Sequence, residues 1–549
     1  MFYDNIKVER PEGSIVYPNG YVYITAKKVY IKEKKHNQNK RVSIGKAIDD
    51  NLMIPNDNAR KFFPEWFELL EPLQHSDTLS IGNTMIIDKV LQSLEVGDLI
   101  DSIFEDDSPL IKDLIQYMII NESTVMQYFP TLMRRVPIYS DKIYSDTTIG
   151  RMFKERISLK DREFFLHSWN QMNHAKTVYI SYDSTNMNTC SEGIELAEFG
   201  HAKADDEVPI VNLSYAIDQE TGTPLYYEQY PGSINDNSQL KYMVDKAIGY
   251  GYEGIGLILD RGYFSSDNLG YIARKGYDLV MMVKTNQTAI KEAIEENRLK
   301  IADKVAYYIE PYGVYGKTVK KQLYKNSEDQ YYVHVYYDGE KANNQRLGLL
   351  NVYQKMEKEL EEKTSKTMLS KREDLKRFEK GFKITYDDNG YLKKYTKRTD
   401  KIQKEIDAMG YFVLVTSKEM SAEEALTIYR DRDTVEKLFR SLKSNLGYDG
   451  FGVHDDVSLE AKTFVTFLAN IVRNDIYVKT KGLRKKNRKQ YTIPAIINEM
   501  NKVEVSRNIN SEYIRRYGIT KKQKEILKPF GIDNKEVEAY TQRLNKVGE

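Results

Sequence analysis

The chain has 549 residues, too many for one ordinary core, so several domains are expected. Hydrophobic residues make up 41% and charged residues 30%, which describes a water-soluble chain; no run reaches the roughly 18 apolar residues that a spanning helix needs, so no membrane partner is expected. The net charge of +1 does not by itself announce a nucleic-acid binder, and one cysteine, Cys190, excludes an internal disulfide.

Seven scattered histidines give no zinc-ligand spacing. The start, Met1-Phe-Tyr-Asp-Asn, lacks the basic-then-apolar form of a signal peptide, so a reducing cytoplasm is the simplest compartment. Charge is unevenly placed. Lys27, Lys28, Lys32, Lys34, Lys35, Lys40, Arg41 and Lys46 crowd one segment, opposed by Glu33. Lys481, Arg484, Lys485, Lys486, Arg488 and Lys489 crowd another. Such clusters are often only solvated surface, but they gain interest if a polyanion is the substrate.

In chain order, residues 1–60 form a basic β-hairpin arm. Its Tyr/Val/Ile-rich runs are Tyr21-Val-Tyr-Ile-Thr, Val29-Tyr-Ile and Arg41-Val-Ser-Ile, with His36-Asn-Gln-Asn as the polar turn between the last two. Residues 61–172 carry a helical period, as in Ile86-Ile-Asp-Lys-Val-Leu-Gln-Ser-Leu and Leu110-Ile-Lys-Asp-Leu-Ile-Gln-Tyr-Met, interrupted by the loop Ser140-Asp-Lys-Ile-Tyr-Ser-Asp. The pattern then changes over 173–299. Thr177–Asp183, Val208–Asp218 and Thr223–Tyr230 read as strands, the last two paired through the turn Gln219-Glu-Thr-Gly222. A helix around Ser238–Tyr250 precedes Gly254-Ile-Gly-Leu-Ile-Leu-Asp260, a nearly continuous apolar run and therefore a central strand. Asp278-Leu-Val-Met-Met-Val-Lys is another strand.

Residues 300–408 are too long for a connecting loop and read as a β-rich inserted domain, with Gln330-Tyr-Tyr-Val-His-Val-Tyr-Tyr as a strand and a charged surface helix from Glu357 to Arg377. Residues 409–480 return to the main pattern with the strand Gly410-Tyr-Phe-Val-Leu-Val-Thr. Residues 481–549 form a C-terminal helical region.

Three acids stand out. Asp183 and Asp260 close strands, where open α/β sheets tend to bind ligands. Glu436 lies in Ala425-Leu-Thr-Ile-Tyr429-Arg-Asp-Arg432-Asp-Thr-Val-Glu436-Lys-Leu-Phe-Arg440-Ser-Leu-Lys443, read as one helix. At about 100° per residue, Tyr429, Arg432, Glu436 and Lys443 fall within roughly 60° of one another, and Arg440 sits on the same edge. Arg432–Glu436 and Glu436–Arg440 are also i,i+4 pairs, which on most helices are solvated salt bridges worth a few tenths of a kcal/mol. An Asp at a strand end is often only a turn former or helix cap. Three converging carboxylates would repel one another unless cations neutralise them, and a pair of divalent ions about 3.5–4 Å apart would also activate water and stabilise a leaving oxygen.

The order strand-Asp183-Ser-Thr, strand-Asp260-Arg-Gly-Tyr-Phe, long insertion, then Tyr429-x2-Arg432-x3-Glu436-x6-Lys443 resembles the DDE transposases of bacterial insertion sequences, in the superfamily with a Y-R-E-K signature. The hairpin ending Gly222-Thr-Pro-Leu and the loop Pro231-Gly-Ser-Ile-Asn-Asp resemble that family too. The likeness covers roughly 170–480 and fades towards the N-terminus. It implies an α/β multidomain fold with an RNase H-like mixed sheet interrupted by the insertion. It implies two Mg²⁺ ions, with Mn²⁺ able to substitute, held by Asp183, Asp260 and Glu436 as the catalytic acids. Tyr429, Arg432, Lys443 and Arg440 would contact transposon-end DNA, and the partners would be inverted-repeat ends, target DNA and a second copy of the chain. The compartment would be the bacterial cytoplasm, at the nucleoid. Lys34, Lys35, Lys40 and Arg41 of the hairpin arm are further candidate DNA contacts.

One departure concerns second-strand cleavage. Some relatives use a DNA hairpin, aided by a tryptophan on the insertion. Here the only tryptophans are Trp66 and Trp169, while the insertion offers tyrosines that could stack on bases. A relative that binds DNA without cutting, and an RNase H-like nuclease without strand transfer, are the competing readings.

Overall fold

The structure is a computed structural model that describes residues 6–31, 36–68, 77–202, 205–324, 329–365, 375–388, 392–432, 452–508 and 511–546. It divides into two compact units, the first comprising Met1–Thr78, Ser506–Ile514 and Glu549, the second Leu79–Val505 and Arg515–Gly548.

In the first unit, strands β1 (Val8–Glu9), β2 (Ile15–Val16), β3 (Tyr21–Ile31), β4 (His36–Ala47) and β5 (Leu52–Pro55) form a sheet in the order β1-β5-β4-β3-β2. Val22, Ile44, Met53, Ala59 and Phe67 close a small core on one end of it. Strands β3 and β4 form the expected hairpin, but His36–Asn39 are not its turn. They pair with Ile31, Tyr30, Val29 and Lys28, because partners of high strand propensity hold the polar residues extended.

The second unit begins after a short strand, β6 (Asp77–Ser80), with a layer of helices that includes Gly82–Ser93, Ser108–Ile120 and Leu159–Asn173. The main sheet follows. Its strands are β7 (Tyr179–Asn188), β8 (Ile210–Asp218), β9 (Pro224–Pro231), β10 (Gly256–Leu259), β11 (Asp278–Val283), β12 (Tyr308–Ile309), β13 (Val314–Gln322), β14 (Gln330–Tyr337) and, after the hairpin β15 (Phe382–Tyr386) and β16 (Leu392–Lys397), β17 (Tyr411–Thr416). The order is β12-β13-β14-β17-β11-β10-β7-β8-β9. Strand β10 runs parallel to β7 and β11, and the pairs β7–β8, β8–β9 and β11–β17 are antiparallel. The molecule is therefore a mixed helix-and-sheet protein with large sheets.

The stretch 300–408, expected as one insertion, is divided. Strands β12, β13 and β14 extend the main sheet, with β14 paired to β17 from Tyr332–Thr416 to Tyr337–Tyr411. Only the part from Gly339 onward builds its own core. There the helices Gly339–Ser365 and Thr399–Asp407 and the β15–β16 hairpin pack around Tyr353, Leu360, Phe378, Phe382 and Ile402.

One helix holds the unit together. Asp456–Lys479 has 24 residues, about 36 Å at 1.5 Å per residue. Asp455 caps it by accepting from the Ser458 N–H. Leu459, Phe464, Val465, Phe467, Leu468 and Val472 are all fully buried, the mark of a helix with no solvent face along most of its length. On one side Phe464 meets Phe104 and Phe165 at 5.6 and 5.3 Å between centroids. On another Phe467 meets Tyr215 and Tyr227 of the sheet at 6.0 and 5.1 Å. Among the described residues, no helix is long and apolar enough to cross a membrane. Replacing Phe467 by Ala should lower unfolding free energy by about 3–5 kcal/mol in chemical denaturation; a loss below about 1 kcal/mol would show that the sheet does not lean on this ring.

Candidate active site

The site is set by strand register. Strands β7 and β10 are parallel, with Ile258 opposite Ser181, an offset of 77 residues. The same offset carried two residues on puts Asp260 level with Asp183, since 260 − 183 is also 77. Recorded pairing of the two strands stops at Ser181–Ile258, where they begin to part. Both acids thus lie at the C-terminal end of a parallel pair, the end at which open α/β sheets tend to bind ligands. Asp183 does not end its strand, as the sequence pattern suggested. Strand β7 continues to Asn188 on its pairing with β8 alone.

Local hydrogen bonds fix each carboxylate. Asp183 Oδ1 accepts from the Ser184 N–H at 2.9 Å. Asp260 Oδ1 accepts from the Arg261 N–H at 2.6 Å, capping the short turn Arg261–Tyr263. Behind them Tyr182 and Tyr263 are fully buried, with ring centroids 5.1 Å apart. These two tyrosines, each close in sequence to an acid, were not singled out by sequence reasoning.

The third element is the helix Ala422–Arg430, started by a capping box in which Ser421 and Glu424 each accept from the other's backbone N–H. Tyr336 OH donates to Ala422 O at 2.6 Å and Tyr312 OH to Thr427 Oγ1 at 3.1 Å. Gln219 Nε2 donates to Ile428 O at 3.0 Å, while its Oε1 accepts from Ser181 Oγ. Gln219 therefore clamps the end of this helix to strand β7. Nothing in the sequence distinguishes it from an ordinary turn residue.

The helix expected to run from Ala425 to Lys443 is met only as far as Arg430. Asp431 caps it and Arg432 follows in a turn, its N–H on Tyr429 O at 3.2 Å. Aspartate is a weak helix former, so a stop at Asp431 is reasonable; residues 433–443 of the expected helix lie outside the described residues. Tyr429 and Arg432 still meet, as the helical face required. Arg432 Nη1 donates to Tyr429 OH at 2.9 Å. Arg432 Nη2 donates to Asp183 Oδ2 at 2.8 Å, and Nη1 lies 3.6 Å from Asp260 Oδ1. The Arg432 side chain is 7% exposed, that of Asp183 20% and that of Asp260 38%. Burial opposes the guanidinium's charge, but the Asp183 carboxylate, then Tyr429 and Asp260, hold its pKa above the ordinary value. Burial, with Asp260 reinforcing it, pushes the Tyr429 hydroxyl up to about 12. The hydroxyl stays protonated at neutral pH, with its oxygen free to accept.

Glu436, Arg440 and Lys443 lie outside the described residues, as do Lys34 and Lys35. Among the described residues no three His, Cys, Asp or Glu side chains cluster to hold a metal. Lys40 and Arg41 are exposed on β4, opposite Lys27 and Thr25. Lys481, Lys485, Lys486, Arg488 and Lys489 are exposed at and beyond the short helix Lys481–Lys486. Trp169 is buried and donates from Nε1 to Pro224 O, and Trp66 stacks on Phe63 at 4.1 Å.

A family model described as "Transposase DDE domain" matches residues 175–471, more than half of the chain. The chain belongs to the DDE transposases. The matched span of the transposase starts just before β7 and ends within the long helix Asp456–Lys479. No curated protein matches the chain. Among solved structures it is similar to a piggyBac transposase synaptic complex with hairpin DNA, seen by cryo-EM, at 10% identity, 76% coverage of this chain, 70% of that one and a TM-score of 0.31. A superposition that loose carries nothing about substrate or mechanism.

Within the transposase site the Tyr429 hydroxyl accepts from a buried cation. Tyr429→Phe keeps the ring and removes the acceptor, and should cost about 1–3 kcal/mol of stability in denaturant titration. An unchanged midpoint would mean that the hydroxyl contributes nothing to holding Arg432.

Proposed function

We propose that this transposase mobilises a bacterial insertion sequence. It binds the terminal inverted repeats as a homodimer, hydrolyses the phosphodiester at each end to free a 3′ hydroxyl, and joins that hydroxyl to target DNA by transesterification. The observation that carries the reading is the convergence of Asp183 and Asp260, just past the paired part of two parallel strands, on one positive charge, Arg432, at 2.8 and 3.6 Å. A mixed sheet carrying acids there supports an RNase H-like catalytic core.

The donor set fits a divalent cation. Carboxylate oxygens are the hard ligands that Mg²⁺ takes, and these two already converge on one cationic group. Asp183 and Asp260, with Glu436 as the third acid, would hold two Mg²⁺ ions, for which Mn²⁺ can substitute. When bound, such ions activate water and stabilise the leaving oxygen of an in-line displacement. The chain's own residues supply position. The Ser184 and Arg261 N–H groups orient the two carboxylates. Gln219 and Tyr336 fix the helix that delivers Tyr429 and Arg432. Tyr429, Arg432, Arg440 and Lys443 contact end DNA.

The hairpin arm reads the inner part of the inverted repeat. Lys27 and Lys40 are directly opposed across the ribbon, and like charges so placed repel. Among the described residues no ion pair relieves Lys27, Lys28 or Lys40, an arrangement that a DNA backbone would stabilise. The site of action is the cytoplasm, at the nucleoid.

A duplex ending in the element's own inverted repeat, incubated with the protein and Mg²⁺, separates three activities. Cleavage with joining is expected; binding alone would indicate a domesticated relative, and cleavage without joining a nuclease. Asp183→Asn, Asp260→Asn and Glu436→Gln should each reduce cleavage by at least about a thousandfold while end binding stays within about threefold. Near-normal cleavage by any one would remove that residue from the site. Lys443→Ala should weaken end binding and lower its salt slope by about one unit; an unchanged slope would make Lys443 a surface salt-bridge residue. A chain starting near Asn58 should lose footprint protection over the inner repeat and keep it beside the cleavage site. Full protection by that truncated chain would exclude the hairpin as a reader.

A further inference from the structure

Arg432 does more at this site than the sequence signature suggested. Its guanidinium lies between Asp183 and Asp260, touching the first at 2.8 Å and approaching the second at 3.6 Å, with Tyr429 OH as its third partner. It is almost fully buried, and its Nε has no acceptor among the described residues. It follows the end of the helix Ala422–Arg430, with its N–H on Tyr429 O at 3.2 Å. A guanidinium that bridges two carboxylates occupies the space a divalent ion bound to those same oxygens would need. The guanidinium engages Asp183 Oδ2 and lies near Asp260 Oδ1, and its charge opposes the approach of an ion to those oxygens. The guanidinium is also the side chain best suited to a phosphate, through bidentate hydrogen bonds.

We infer that Arg432 is a latch that keeps divalent ions off Asp183 and Asp260 until a DNA phosphate draws the guanidinium away. This rests on the metal-dependent reading above and adds a regulation of the same site. The latch couples two ligands. End DNA moves Arg432 off the acids and tightens metal binding; metal displaces Arg432 and tightens DNA binding. By linkage the two effects are equal, and couplings of this kind span about 5–150-fold. The consequence is a transposase that does not charge its catalytic acids, and so does not nick DNA, away from its own ends. Arg432 is here a positioning residue that acts through the two acids.

The test is Mn²⁺ binding to the full chain, read from the electron paramagnetic resonance signal of free Mn²⁺, with and without an end duplex. Without DNA, Arg432→Gln should bind Mn²⁺ about tenfold or more tightly than the unaltered protein. Arg432→Lys keeps the charge but cannot span both carboxylates, so it should fall between the two, and it carries the test should Arg432→Gln fail to fold. Adding the end duplex should tighten Mn²⁺ binding to the unaltered protein by about 5-fold or more and leave Arg432→Gln nearly unchanged. Equal or weaker Mn²⁺ affinity in folded Arg432→Gln and Arg432→Lys would overturn the latch, as would equal tightening by DNA in all three proteins. The double variant Asp183→Asn, Asp260→Asn separates the two levels of the argument. Loss of its Mn²⁺ site together with a null result for Arg432 would reject the latch alone. Retention of Mn²⁺ binding would reject the metal reading and the latch with it.

Discussion

Two carboxylates fixed side by side where two central strands part need a positive charge between them, and much of this structure serves that requirement. The level placement comes from backbone register, not from side-chain flexibility. Parallel strands with a fixed offset put Asp183 and Asp260 at one height, and each is held there by a backbone N–H. A one-residue slip of β10 would turn its side chains to the opposite face and dissolve the pair. At Gly256 a Cβ would meet the Tyr179 ring at 2.3 Å, so a slip that put a side chain there would clash.

Around the pair, support comes from elements distant in sequence. The helix that carries Tyr429 is fastened to β14 through Tyr336 and to β7 through Gln219. The long buried helix Asp456–Lys479 backs the β8–β9 side of the sheet and reaches the helical layer through the Arg162–Glu460 and Arg473–Glu122 ion pairs. Asp456, at its start, accepts from the N–H groups of Glu195 and Leu196 in the loop after β7. A site placed on a sheet and two helices in this way is held more firmly than one built on loops alone.

The sequence made part of this visible. Apolar runs ending in Asp marked β7 and β10, and the β8–β9 hairpin followed from its turn. What it hid was non-local. Strands β12 to β14 read as a separate domain because the residues between β14 and β17 separate paired strands, and no local pattern reveals that Tyr336 pairs with Phe412. Gln219 looked like a turn residue because its partners are Ser181 and Ile428. Arg432 was read from its helical face as a phosphate contact, while the carboxylate it contacts at 2.8 Å lies 249 residues upstream. At the hairpin, Asn-rich composition pointed to a turn where cross-strand pairing holds the backbone extended. The reading of Glu436, Arg440 and Lys443 rests on sequence spacing, because these residues lie outside the described part of the structure.

The central claim is that a divalent ion binds between Asp183 and Asp260 when the transposon end is present. Iron-directed cleavage of the protein tests it most directly. Fe²⁺ bound at a Mg²⁺ site generates hydroxyl radicals that cut the nearest backbone, and the fragments map the ion. With end duplex and ascorbate, cuts should fall next to Asp183 and next to Asp260 and should disappear when excess Mg²⁺ is added. Cuts elsewhere, or cuts at these positions that excess Mg²⁺ leaves unchanged, would contradict the account.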